Sequence, residues 1–279
     1  MVRRDYEMLR LWIGYYKKQV ADSKSIYVIA HGEDQIVEDI AAGCSVFTIP
    51  FDNTGDQFEA KRRKHMLMFA SGLLQYFQNV IVVDCDEIVA IDPSLNLSLS
   101  EYLGTISNTI PAISPIGFDV RHKQSSERDR LDLLQPILSQ RNYGFIDAKY
   151  CKPCIIKAEI TSGTAHRLFG IPWHIDKNLL LFHLKYADKF LSNIGVETRN
   201  SILEQYNSHE SKHGIRGWEN GEENFKNASK SVEGESKLFE PKELDWLEPR
   251  LKLGLKRRGV VPNLKFGPYK LLDRFKGII

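Results

Sequence analysis

Residues 80–93 read VIVVDCDEIVAIDP, so four β-branched apolar residues run directly into Asp84, Asp86 and Glu87. An unalternating apolar run is the pattern of a strand covered on both faces, as in a parallel sheet flanked by helices. Two carboxylates one residue apart at the exit of such a strand repel each other unless a cation sits between them. Mg²⁺ or Mn²⁺ accepts oxygen ligands and keeps positions open for phosphate, so Asp84 and Asp86 are candidate ligands for a divalent metal that bridges to a diphosphate. A plainer reading is that acids after a strand cap the next turn, and Asp92-Pro93 is itself a turn signal.

Upstream, the chain alternates. DYEMLRLWIGYYKKQ (5–19) carries Met8, Leu9, Trp12, Ile13 and Tyr16 at helical spacing, and SIYVIAH (25–31) is a short β-rich run. EDQIVEDIAAG (33–43) reads as a helix ending near Gly43, and SVFTIP (45–50) as a second strand. FEAKRRKHMLMFASGLLQYF (58–77) places Met66, Phe69, Ala70, Leu73, Leu74 and Phe77 on one helical stripe, with Lys61, Arg62, Arg63 and Lys64 on the other face. Helix, strand, helix, strand, helix, strand predicts an α/β fold with an open sheet and parallel connections, which binds ligands at the carboxyl ends of its strands.

Composition narrows the class. The 279 residues are 42% hydrophobic, enough for a large core. No apolar run approaches the roughly 18 residues of a membrane span, and the N-terminus lacks an apolar signal core, so the expected compartment is the cytoplasm. Four cysteines fit a reduced setting; CKPC (151–154) has no second pair of matching spacing, which favours ordinary thiols over structural zinc. From Arg250 onward there are nine Lys or Arg against one acid, while the preceding part is net acidic. Such a basic, apolar tail either lies on an anionic membrane surface or packs its apolar residues on the body; Gly and Pro within it argue against one continuous helix. Nothing reads nucleic acid apart from that charge.

Two enzyme classes place D-x-D after a buried strand. In haloacid-dehalogenase-like phosphatases the motif normally closes the first strand, whereas here three helix-strand units precede it. The chain resembles instead the GT-A glycosyltransferases, in particular the bacterial family-2-like group. The resemblance rests on VRRDYEMLRLWIGYY (2–16), with Arg3, Arg4 and Asp5 at a turn, on VVDCDEIVAIDP (82–93), on YCKPCIIKAEI (150–160) followed by GTAH (163–166), and on LLLFHLKYADKF (179–190). It implies a Rossmann-like open mixed sheet flanked by helices. The family's first strand should precede the turn, yet only Met1 and Val2 stand before Arg3. The expectation is that the chain continues upstream in a longer product, the alternative being a sheet that lost an edge of its nucleotide site.

What the resemblance implies about function is a metal-dependent transfer of a sugar from a UDP- or GDP-sugar to a glycan or lipid-linked acceptor, with inversion. Arg3, Asp5, Arg62, Asp84 and His166 would face the donor, and Asp84, Asp86 and His183 would hold Mn²⁺ or Mg²⁺. Asp119, after the β-like AISPIGF (112–118), is the expected catalytic base, with Asp147 as alternative. His122 and His174 match nothing specific. The expected organisation is a catalytic domain over 1–192, a helix and polar loop or lid over 193–249 with Trp218 or Trp246 available to stack on a sugar, and a helical or irregular basic extension over 250–279. The tail would suit peripheral contact with the inner face of a membrane. A non-catalytic sugar-binding module is the reading of a third kind.

Overall fold

In the computed structural model, residues 1–51, 58–128, 130–160, 163–164, 167–168, 171–194, 221–258 and 264–279 are described. The N-terminal alternation forms as its periodicity predicts. Helix α1 (Tyr6–Tyr16) buries Met8, Leu9, Ile13, Tyr15 and Tyr16. Strands β1 (Tyr27–His31) and β2 (Ser45–Ile49) pair in parallel, joined by α2 (Gln35–Ile40), whose first turn is capped by the Asp34 carboxylate accepting from Ile36 and Val37 N–H. Val2 forms a parallel bridge with Ala30 on the other side of β1. Helix α3 (Phe58–Leu73) then leads to β3 (Val80–Ile81).

The main sheet has eight strands and is mixed. Its members besides β3 are β4 (Glu87–Ile91), β5 (Ala112–Arg121), β6 (Tyr143–Asp147), β7 (Ile155–Ile156), β10 (His174–Tyr186), β11 (Lys237–Phe239) and β12 (Lys265–Leu271). A separate pair is formed by β8 (Gly163–Thr164) and β9 (Arg167–Leu168). The order is β11-β12-β6-β5-β10-β4, with β7 joining β5 to β3. The protein is therefore α/β with an open mixed sheet and helices, but the expected run of parallel connections ends at β2. Strand β3 is antiparallel to β7, and β4 is antiparallel to β10. The apolar run at 80–83 is not covered on both faces as expected: Val83 is buried but Val80, Ile81 and Val82 are half-buried, and the pairing partners come from segments far along the chain, which local pattern does not specify.

Further helices are α4 (Leu99–Thr105), opened by a Ser98–Glu101 capping box, α5 (Ile137–Gln140), α6 (Gly221–Lys230) and α7 (Leu247–Arg258), and residues 189–194 are helical as well. Helix α6 lies where a polar loop is expected: Phe225 and Ala228 are buried at i and i+3, and Glu222 and Glu223 in its first turn with Lys230 in its last complement the helix dipole. Trp218 lies outside the described residues, and Trp246 packs edge-on against Phe266, ring centroids 4.7 Å apart.

The basic C-terminal stretch is also built differently from the expected extension. Strand β12 inserts between β11 and β6, and its Gly267-Pro268 interruption coincides with a register shift between Phe266 and Tyr269. Phe275 is fully buried near Phe239 and Phe182. Arg274 clamps Asp92 at 3.0 Å and Glu240 at 2.8 Å. Asp92 thus serves its turn, accepting from Ser94 N–H, and also anchors the C-terminus. Among the described residues no helix is long and apolar enough to cross a membrane.

Strand β4 ends the order of the main sheet, and α1 covers its open edge. The Tyr16 hydroxyl accepts from Val89 N–H at 2.9 Å, and the Tyr15 hydroxyl donates to Val89 C=O at 3.0 Å. Two side chains thus satisfy both backbone groups of a buried residue that a sheet edge would leave unpaired. Tyr16→Phe strands the Val89 N–H and is expected to cost about 1–3 kcal/mol in urea unfolding. Glu127 sets a second expectation. It accepts from Lys123 and Asn142 N–H, and burial pushes its carboxyl up to about 7, against backbone hydrogen bonds that lower it. A raised folded value makes its contribution greatest below the unfolded value near 4.5 and lost as pH rises through about 7. Wild type should therefore lose stability relative to Glu127→Gln across that window, by on the order of 3 kcal/mol in paired unfolding curves.

Candidate active site

The chain leaves β3 at Val82, whose N–H bonds Cys154 C=O, and re-enters the sheet at Glu87, so Asp84, Cys85 and Asp86 form the turn between two strands. Strand β10 supplies the next component, because its register sets His183 opposite Glu87 on β4 and opposite Asp119 on β5. His183 Nδ1 lies 2.7 Å from Asp119 Oδ1, and its Nε2 lies 3.5 Å from Asp86 Oδ2. The other Asp119 oxygen accepts from Arg121 Nε and Nη2 at 2.8 and 2.6 Å. Arg121 reaches onward to Ser231 Oγ just beyond α6.

Tyr150 stacks on the imidazole, centroids 3.9 Å apart and planes 20° from parallel. Gly117 makes this approach possible: a Cβ there would lie 2.3 Å from the Tyr150 carbonyl carbon. Burial alone would lower the His183 pKa, but hydrogen bonds to Asp119 and Asp86, and their charges, outweigh it and raise it to about 9. The two carboxylates thus favour the imidazolium, and a metal ion held at Nε2 would have to displace its proton.

A second charge cluster lies beside the first. Arg62 on α3 reaches Asp84 Oδ1 at 2.6 Å. Lys152 Nζ lies 2.6 Å from Glu87 Oε2 and 4.0 Å from Asp84 Oδ2. Glu87 also accepts from Asp84 N–H, tying the turn to its own first carboxylate. Burial lowers the Lys152 pKa, but Glu87 and Asp84 more than reverse this and hold the ammonium charged. Burial raises the Asp84 carboxyl, and Arg62 and Lys152 override it to keep the group well below its ordinary range. Exposure sorts the two clusters into an open rim and a closed floor. Asp84 and Asp86 side chains are 25% and 26% exposed, whereas Lys152, Glu87 and Asp119 are 2% or less.

No protein-family model matches the chain, and no curated protein is significantly similar to it.

The structure brings together Arg62, Asp84, Asp86, Asp119 and His183. Asp5 joins them from the start of α1, with Cys85 Sγ 3.8 Å from its carboxylate. Arg3 lies across the β1 end, donating to His31 C=O at 3.1 Å, its guanidinium 3.4 Å from the centroid of the Phe51 ring. His166 lies outside the described residues. Asp147 is turned away, accepting from Lys149 N–H and lying 3.3 Å from Lys265. Asp119 has a buried carboxylate with both oxygens engaged; burial raises its pKa, but His183 and Arg121 take it down to about 2. Its carboxylate is therefore turned inward onto the ring and the guanidinium, a position that orients His183.

Lys152, Arg121 and Tyr150 are the site residues that sequence reasoning missed. The available signal for Lys152 was CKPC itself. Both cysteines are buried, Cys151 Sγ accepting from Gly117 N–H, so the lysine between them is drawn into the interior and must find carboxylates. Burial pushes the Cys151 and Cys154 thiols up to about 12, as suits thiols packed in the interior.

Among the described residues, no cluster of three or more His, Cys, Asp or Glu is arranged for a metal ion. Two donors nonetheless fit one. With Nδ1 committed to Asp119, His183 presents Nε2 on the same side as the Asp86 carboxylate, a carboxylate–histidine arrangement that fixes the ring for a cation. Asp84, the third expected ligand, is held by Arg62 and Lys152.

Proposed function

We propose that the protein is a metal-dependent glycosyltransferase of the GT-A type, moving a sugar from a nucleotide-diphosphate sugar to a glycan or lipid-linked acceptor. The observation that carries this reading is the pairing of Asp86 with His183 Nε2 at the solvent-facing rim of the sheet, where Asp84 and Arg62 also meet. Mn²⁺ or Mg²⁺ would be held by Asp86 and His183, with Asp84 close by, and would supply charge neutralisation for the departing diphosphate. Each protein group then has a distinct task. Asp119, itself gripped by Arg121, positions the His183 ring and selects the nitrogen that faces the donor side. Lys152 holds Glu87, and through it the Asp84 N–H, so that the D-x-D turn keeps its shape. Arg62 offers a partly exposed guanidinium whose carboxylate contact can be exchanged for phosphate oxygens.

Asp119→Asn keeps the size of the side chain but removes the charge behind the ring. Transfer is expected to fall about 10–100-fold with Mn²⁺ affinity reduced in parallel, while Asp147→Asn leaves both unchanged. The reading as a whole is tested by incubating the protein with Mn²⁺ and a panel of UDP-, GDP- and CDP-sugars, following nucleotide release with and without chelator. Release that requires the metal supports the transferase. Metal-dependent phosphate release from simple phosphoesters, with all nucleotide sugars intact, would overturn it in favour of a phosphatase using Asp84 and Asp86.

A further inference from the structure

Alternation along β5 puts Asp119 and Arg121 on one face of the strand, and Lys123 follows two residues on, just past its end. Each holds something different. Asp119 Oδ1 meets His183 Nδ1 at 2.7 Å, Arg121 grips the other Asp119 oxygen, and Lys123 Nζ donates to Gly234 C=O at 2.5 Å. The turn that follows α6 is thereby bolted to the exit of β5, with a further contact from Ser125 N–H to Glu233 Oε1 at 3.3 Å. Ser231 opens that turn, and its hydroxyl oxygen accepts from Arg121 Nη1 at 2.5 Å.

The serine is well placed to hold the guanidinium. Its hydroxyl proton is spent on Ala228 C=O, one of the last carbonyls of α6, at 2.5 Å, so what the oxygen offers Arg121 is a lone pair. The carboxyl end of a helix also carries partial negative charge, which suits a cation placed there. Phe145 lies beside the guanidinium, its ring centroid 4.8 Å away. Arg121 and Asp119 side chains are 6% and 1% exposed, so water is a poor substitute for any of these partners. Because the guanidinium is a rigid planar fork, fixing Nη1 also fixes Nε and Nη2, the two donors that hold Asp119.

We infer that Ser231 is a positioning residue for the candidate site: by fixing the Arg121 fork it fixes the rotation of the Asp119 carboxylate, and with it the direction in which His183 presents Nε2. The inference deepens the transferase reading and rests on it for the use made of the ring; the chain of contacts stands without it.

The test follows the His183 ring signals by NMR of ¹⁵N-labelled, metal-free protein, assigned by their loss in His183→Asn, and measures Mn²⁺ affinity beside them. Ser231→Ala is expected to shift the Nδ1–H resonance and speed its exchange with water about threefold, and to weaken Mn²⁺ binding about fivefold, the scale of one lost hydrogen bond acting through a ligand's partner. Ser231→Thr keeps the hydroxyl and should restore both. Glu233→Ala releases the same turn from Ser125 while leaving the Ser231 contact to Arg121 in place, and should keep both at wild-type values. Unchanged ring signals in Ser231→Ala, or equal changes in Glu233→Ala, would overturn the inference by reducing Ser231 to a support for the turn. A wild type that binds no Mn²⁺ would count against the transferase reading, and the ring signals would still decide the role of Ser231.

Discussion

Lys152→Ala is expected to destabilise the protein by about 3–5 kcal/mol in denaturant unfolding, the largest single effect on stability predicted here. The lysine is 1% exposed and its ammonium is 2.6 Å from a glutamate that is itself 2% exposed. Removing it leaves Glu87 buried without its counter-charge and withdraws a cation from beside Asp84. The cost reports the stranded carboxylate and not the net value of the pair, so the double variant Lys152→Met with Glu87→Gln should recover most of the loss. Gln keeps an oxygen for the Asp84 N–H that Glu87 now accepts. Additive losses in the double variant would mean that the two residues act independently.

Asp86→Asn is expected to give the largest effect on activity, a fall of about 10²–10³-fold in metal-dependent nucleotide release, with little change in unfolding free energy. The side chain is partly exposed and its carboxylate faces His183 Nε2, so the loss removes a charge from the rim without opening the core. Because Asp86 is one of the groups that raise the His183 pKa, the variant should also lower the pH at which the ring deprotonates, measurable by NMR of the imidazole. Retained turnover would move the donor site elsewhere on the protein.

The elements up to Val83 were legible because each is defined by local periodicity: the Met8, Leu9, Ile13, Tyr16 stripe of α1 is buried as its spacing predicts. The acidic turn and His183 were legible as well, since charge beside a run of buried apolar residues needs a reason. Other features depended on partners remote in sequence. Lys152 is 65 positions from Glu87, and nothing in CKPC names the carboxylate it meets. Arg274 bonds Asp92 across 182 positions, and β12 enters the sheet through a Gly-Pro bulge that reads locally as a break. Asp119 was found as well, but its position after a strand suggested an outward acid, whereas register with β10 turns it onto His183.

The proposed site is tested most directly by Mn²⁺ binding in the presence of UDP, followed by electron paramagnetic resonance. Wild type and Asp147→Asn should bind one ion with the same affinity, and Asp86→Asn and His183→Asn should each bind at least about tenfold more weakly. Equal binding by all four proteins, or no binding by wild type, would contradict a metal-dependent donor site at Asp86 and His183.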